Sequence, residues 1–343
     1  MDAEQSADDQ KKAIAVVPRS HPEGNDLRCR AGVYVDESPS SRALVFLLVL
    51  ATLGAVLGRF LILGARDAAL FTLTNKAALE LWAALIGLVC GYGLAAFVVM
   101  TRWSWQVLRI FSPKFPWKSN ADTWKRAGGW FRATCLTIFM VGVVSVSIPA
   151  GTVNGRPVSP FSHQITVLAI AGIVAIIPGL IGFLAVRSLA RTDSQWKEEE
   201  PRCQLLLALW LRQTLRRLLA TFGLLLALYV VTTADRRQLI LAFNKNAVFP
   251  QDYALLQGLL FAAFLALFHV LATMAINWRC ERLLDRYAPI PSPCADDIST
   301  PLRRRQDLAA FLGTDSSWRQ TFQNGVFVLA PLLTAIIGTA LPK

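Results

Sequence analysis

Residues 253–276 read YALLQGLLFAAFLALFHVLATMAI, a stretch that contains no Asp, Glu, Lys or Arg. A helix rises about 1.5 Å per residue, so this stretch would extend about 36 Å, more than the roughly 30 Å of hydrocarbon in a bilayer. Surface helices of soluble domains instead carry a polar face along their length. The stretch therefore predicts a transmembrane helix.

Six further apolar stretches of similar character occur along the chain. The seven predicted spans lie at 43–64, 78–100, 133–151, 165–186, 218–234, 253–276 and 326–341. The seventh is short and contains Pro331, so a re-entrant or interfacial helix, with only six crossings, is the alternative. The fold class predicted is all-α, a polytopic transmembrane helical bundle over 43–343, preceded by a polar, flexible cytoplasmic tail over 1–42.

The basic residues predict the orientation of the bundle. Of the 35 Lys and Arg residues, 27 lie in the tail and in alternate connections, 7 lie in the other connections and at the C-terminus, and Arg59 lies within a span. Cytoplasmic loops carry an excess of Lys and Arg. We therefore expect the N-terminus in the cytoplasm and the C-terminus outside, in the plasma or inner membrane.

The net charge of +12 has the same explanation. In a soluble protein it would favour nucleic-acid binding, but here the charges flank apolar spans, and nucleic acid is disfavoured as a partner. The densest basic cluster comprises Arg303, Arg304 and Arg305. Near a membrane, each such charge is worth roughly 1 kcal/mol against anionic lipid. The expected partners are the bilayer and its anionic headgroups, with a cytoplasmic protein left open.

Few polar side chains fall within the predicted spans. The candidate intramembrane sites are Arg59, Glu80, Gln257 and His269. Ionisable groups in hydrocarbon are costly and tend to pair or to face a cavity, so an ion path or gate is one interpretation. A structural ion pair between Arg59 and Glu80, snorkelling to the interface, and a His269 bonded to a neighbouring helix are the alternatives.

Pro178 and Gly179 lie near the middle of the fourth predicted span. Proline removes a backbone donor and clashes with the preceding turn, and transporters use such breaks to bind solutes at the membrane midplane. A packing kink is the alternative, because membrane helices tolerate Pro and Gly generally.

Two glycine pairs spaced four residues apart occur in the first two spans, Gly54 with Gly58 and Gly87 with Gly91. Small residues at this spacing allow two helix backbones to approach closely. They predict tight packing of these spans, either within one chain or between two copies.

The cysteines predict free thiols, since none of the six falls in a predicted external loop. No metalloprotease, nucleophile-elbow or phosphate-loop motif is present in the sequence, and no cofactor or metal site is predicted. The sequence favours a non-enzymatic, channel-like or scaffolding membrane protein. A small-solute transporter using the broken fourth span is one alternative, and a lipid-modifying membrane enzyme is the other.

Overall fold

The computed structural model describes residues 41–64, 76–111, 152–153, 156–157, 162–191, 201–243, 253–290, 299–313 and 318–340. Within these ranges lie seven helices. They are α1 (Ser41–Leu63), α2 (Lys76–Phe111), α3 (Ser162–Arg191), α4 (Pro201–Phe243), α5 (Tyr253–Tyr287), α6 (Ser299–Leu312) and α7 (Trp318–Ala340). A two-residue antiparallel ladder, β1 (Thr152–Val153) with β2 (Arg156–Pro157), precedes α3.

Five of the described helices, α1 to α5, are long and apolar enough to cross a membrane. The prediction of a helical membrane bundle is therefore confirmed in its coarse form. The third predicted span, 133–151, and all of the tail before Ser41 lie outside the described residues. In α7 the described apolar part is Gly325–Ile337, which at 1.5 Å per residue extends only about 20 Å.

Helix α4 is longer than the span predicted at 218–234. It begins at Pro201, so the charged stretch before Leu218 continues the same helix, and it ends only at Phe243. Arg212 on this extension donates hydrogen bonds to the Leu312 carbonyl and to Asn277 Oδ1, which ties α4 to α6 and α5. The arginines of the basic connection before this span therefore lie on the same helix as the span.

The helices pack around α4, which contacts α2, α3, α5 and α7. Its centre is a dry aromatic and aliphatic core in which the rings of Phe183 and Phe222 lie 6.2 Å apart, with Phe268 beside them. Burial of such side chains removes apolar area from water in a soluble protein, but within lipid it is close packing that favours the bundle. This core fixes α2 to α5 relative to one another.

Helix α1 packs mainly on α2. The contact runs through the two glycine pairs, since a Cβ atom at Gly54 would lie 2.9 Å from the Gly91 Cα, and one at Gly87 would lie 2.7 Å from the Ala55 carbonyl oxygen. The other face of α1 is apolar and exposed, as Phe46 at 58% illustrates. Exposed apolar faces on membrane helices are the faces that lipid covers.

The expectation of free thiols needs a correction. Cys203, at the start of α4, is disulfide-bonded, and its partner lies outside the described residues, whereas Cys90 and Cys280 are free. The prediction of free thiols came from the absence of cysteines in the predicted external loops, which indicates a reducing compartment. It gives no information about which thiols lie close together in the fold.

Candidate ligand-binding cleft

A cleft of about 720 Å³ lies inside the bundle, between α1, α2, α3, α4 and α5. Its size is within the roughly 300–1,000 Å³ range of small-molecule sites. Along α4 it extends from Leu225 to Arg236, which is about 16 Å at 1.5 Å per residue. That length corresponds to about half of the hydrocarbon thickness, or one leaflet.

The walls of the cleft are almost entirely apolar. Phe97 and Leu94 of α2, Ile176 of α3, and Phe261 and Phe264 of α5 are among the lining residues. Gly172 of α3 also lines it, and a Cβ atom added there would meet no described atom within 4 Å. The glycine therefore faces open space, in contrast to the glycines that bring α1 against α2.

Several lining residues of the cleft are exposed. Leu57 and Phe60 of α1 and Val174 of α3 line the cleft and are also exposed among the described residues. Both helices are candidate membrane spans by length and composition.

One end of the cleft is polar. Tyr229 and Arg236 of α4 and Tyr253 and Gln257 of α5 line it there, close to where α4 ends and α5 begins. The Arg236 guanidinium is near enough to the Tyr229 and Tyr253 hydroxyls for an electrostatic interaction. Phe261 holds the Tyr229 ring edge-on, with the ring centroids 5.8 Å apart. Apolar walls with one polar, cationic end make the cleft amphipathic.

Gln257 is the most constrained polar group at this end. Its side chain is 4% exposed and in hydrogen-bonding contact with Tyr229, yet its Oε1 has no hydrogen-bond partner among the described residues. A buried acceptor left without a donor costs roughly 1–3 kcal/mol. A turn of the amide lets Oε1 accept from the Tyr229 hydroxyl, so the contact with Tyr229 can satisfy this group within the protein.

The hydroxyls of Thr232 and Thr233 also border the polar end, but both donate hydrogen bonds to backbone carbonyls of α4 itself. Thr232 Oγ1 donates to the Leu228 carbonyl at 2.8 Å, and Thr233 Oγ1 donates to the Tyr229 carbonyl at 3.0 Å. Such back-bonding satisfies a hydroxyl in an apolar environment. These threonines therefore offer an occupant acceptor lone pairs but no free proton.

Of the four intramembrane sites predicted from the sequence, only Gln257 lines the cleft. Arg59 and Glu80 are exposed, and no hydrogen bond or ion pair joins them. His269 lies elsewhere on α5, with its Nε2 3.5 Å from Thr273 Oγ1 and no partner for its Nδ1 within the described part of the chain. The structure does not bring the four together into one path.

The region of Pro178 and Gly179 is packed by side chains. The Ser104 hydroxyl donates to the Pro178 carbonyl at 2.7 Å, and a Cβ atom at Gly179 would lie 2.8 Å from Met100 Sδ. Both residues are buried, and neither lines the cleft. A solute would find no open space at this break.

The basic cluster on α6 is divided. Arg305 is tied down, with an ion pair to Asp285 at 2.8 Å and a hydrogen bond to the Ala288 carbonyl at 2.9 Å. Arg303 and Arg304 are exposed. Contact of the exposed pair with anionic lipid stays a prediction.

Sequence reasoning missed Arg236, Tyr229 and Tyr253. Arg236 contributes to the count of loop charges that sets the orientation, and the sequence argument gives no role to the two tyrosines. The available signal was that an arginine follows Tyr229 by seven residues, two turns along one helical face.

The described residues contain no candidate metal site, because no group of three or more His, Cys, Asp or Glu side chains comes together among them. A comparison with protein-family models found no match, and comparisons with curated proteins and with solved structures found no similar protein.

Proposed function

We propose that this chain is a non-enzymatic, multi-pass membrane protein that binds a membrane-soluble molecule in the cleft lined by helices α1 to α5. The observation that carries the proposal is the cleft itself, about 720 Å³ of mainly apolar space between helices that are candidate membrane spans. We place it in a cell membrane with its N-terminus in the cytoplasm, as the distribution of basic residues predicts.

The chemistry of the walls argues for binding over ion conduction. An ion path needs polar groups along its length to replace the hydration shell. In this cleft, polar groups are concentrated at one end, and the rest is lined by residues such as Phe97, Leu225 and Phe264. Catalysis is also disfavoured, because Arg236 is the one charged group among the described lining residues.

Transport of the bound molecule is the second candidate. The exposure of lining residues on α1 and α3 supports it, since a carrier needs a path by which its cargo enters. The break at Pro178 and Gly179 does not support it, because Met100 and Ser104 pack against that position. A carrier built on this fold would use the cleft and not the proline break.

The test is photolabelling with a small uncharged aryl diazirine in lipid nanodiscs, followed by mass spectrometry of the labelled positions. We expect labelling of Phe97 and Phe264 in the cleft as well as of the lipid-facing Phe46. Gly172→Phe should fill the cleft and reduce labelling at Phe264 while leaving Phe46 unchanged. The matched control is Gly325→Phe, since a Cβ atom there also meets no described atom within 4 Å but lies outside the cleft.

Labelling confined to outward-facing positions in the unmodified protein would refute the proposal. So would equal labelling of Phe264 in the Gly172→Phe and Gly325→Phe variants. Both substitutions replace a helical glycine, which by itself favours the helix by several tenths of a kcal/mol, so loss of fold is not the expected effect of either.

A further inference from the structure

We propose that residues 133–151, which lie outside the described ranges, cross the membrane between α2 and α3 and pack on an exposed apolar face of α3. That face comprises Ile170, Val174 and Ile177. Ile170 and Ile177 do not line the cleft, so this interface within the chain is largely separate from the proposed binding site.

Helices α2 and α3 run in the same direction. Near their starts, Ile165 of α3 packs against the cluster of buried residues that contains Trp82 of α2. Further along, a Cβ atom at Gly182 of α3 would lie 2.6 Å from Ser104 Oγ of α2. The contacts advance along both helices together, so the two helices are parallel.

Two parallel spans require a return crossing between them. Both helices are candidate membrane spans, so Phe111 at the end of α2 and Ser162 at the start of α3 lie on opposite sides of the bilayer. The chain that joins them contains the segment 133–151, which has no Asp, Glu, Lys or Arg. As a helix, its 19 residues would extend about 28 Å, close to the roughly 30 Å of hydrocarbon.

The connection into α3 reverses the direction of the chain. Strands β1 and β2 pair antiparallel, with Thr152 opposite Pro157, so the chain turns back directly after residue 151. Ser162 follows Pro157 by five residues, which extend at most about 18 Å. Short connections of this kind join antiparallel neighbours. The segment that ends at residue 151 is therefore tethered beside α3.

The exposed face of α3 lies in the half of the helix that follows this connection. Ile170, Val174 and Ile177 are spaced four and three residues apart, which places them on one side of the helix. From Pro178 to Ala190 no residue of α3 is exposed. Lipid or a second copy also covers apolar faces of membrane helices, but neither is tethered next to this one.

The experiment places the photoreactive residue benzoylphenylalanine at single positions of the full chain in lipid nanodiscs, and mass spectrometry identifies what it links to. We expect probes at Ile170 and at Ile177 to link to residues 133–151. The link from Ile170 should lie nearer to Gly151, because the two helices are antiparallel. The matched control is Leu48 on the outer face of α1, which is also exposed and apolar and should link to lipid alone.

A second measurement tests the crossing itself. Ser119→Cys and Ser159→Cys place thiols before and after the segment. In sealed vesicles, an impermeant maleimide should label one of them above the level of the unmodified chain and reach the other only after the vesicles are opened.

Equal labelling of Ser119→Cys and Ser159→Cys in sealed vesicles would overturn the return crossing. Links from Ile170 and Ile177 to lipid alone, or to a second copy in a product of twice the mass, would overturn the docking on α3. A link from Ile177 that lies nearer to Gly151 than the link from Ile170 would refute the antiparallel arrangement. The labelling of Phe264 by the diazirine tests the cleft separately from all three.

Discussion

Replacement of Gly91 by alanine tests whether helix α1 is held to the bundle through its glycine contact with α2. A Cβ atom at Gly91 would overlap the Ala51 carbonyl oxygen and would lie 3.1 Å from the Ala55 backbone nitrogen. Both obstacles are backbone atoms of α1, which no side-chain rotation can move aside. The helices must therefore separate, and α1 packs mainly on α2, so its attachment to the bundle weakens.

The magnitude follows from two opposing terms. Overpacking a close contact costs about 1–3 kcal/mol. Replacing a helical glycine by alanine returns roughly 0.5–1 kcal/mol by lowering the entropy of the unfolded chain. The net expectation for Gly91→Ala is a loss of up to about 2.5 kcal/mol in the free energy of unfolding, with a central value of about 1 kcal/mol.

The same helix provides a matched control. A Cβ atom at Gly93 would lie 3.6 Å from Leu225 Cδ1, which is an ordinary contact. Gly93→Ala should therefore raise the free energy of unfolding by roughly 0.5–1 kcal/mol, because alanine favours the helix over glycine and no clash opposes it. Unfolding by titration with dodecyl sulfate measures both variants, and the reaction rate of Cys90 with a membrane-permeant maleimide reports on α1 directly, because a Cβ atom at Gly58 would lie 2.8 Å from the Cys90 Sγ.

We expect Gly91→Ala to unfold at lower detergent fraction and to expose Cys90, and Gly93→Ala to do neither. If the two variants prove equally stable, or if Cys90 reacts at the same rate in both, the close approach of α1 and α2 does not hold α1 in place.

Two further predictions concern hydrogen bonds between helices. Ser104→Ala leaves the buried Pro178 carbonyl without its side-chain donor and should lower the free energy of unfolding by about 1–2 kcal/mol. The control, Thr101→Val, removes an exposed hydroxyl that is hydrogen-bonded within its own helix. It should lower the free energy of unfolding by less than half as much. Arg212→Gln removes the donor that links Asn277 and the last carbonyl of α6, and hydrogen exchange should become faster in α6 while α5 stays protected. Equal losses for the first pair, or unchanged exchange in α6, would contradict these two expectations.

The length and polarity of apolar stretches were sufficient to predict helices α1, α2, α3 and α5, because a bilayer requires about 20 apolar residues whatever their order. For α4 the same rule gives the apolar span, 218–234, and not the ends of the helix. Arg212, Arg216 and Arg217 count with the basic connection before that span, and the helix continues through them, since the hydrocarbon limits only its apolar part. Length arguments fix where a span is, and they say little about how far its helix extends into the interface.

The cleft was predictable only in fragments. Gln257 was singled out because polar side chains in a span are uncommon, and it does line the cleft. Arg236 was not, since its role depends on Tyr253 and Gln257 of another helix, and no pattern within α4 reveals that neighbourhood. Pro178 and Gly179 illustrate the reverse case, because the sequence leaves a functional break and a packing kink both open, and the contacts with Ser104 and Met100 favour the kink.

The openness of the cleft decides how an occupant is to be interpreted. Its volume is about 720 Å³, and Leu57 and Val174 of its lining are also exposed among the described residues. In a bilayer, lipid chains can enter such a cleft without any specific recognition. Apolar walls alone would accept any chain. Labelling of Phe264 that is lost in Gly172→Phe and kept in Gly325→Phe, and not the mere presence of lipid, distinguishes a binding site from a gap that the bilayer fills.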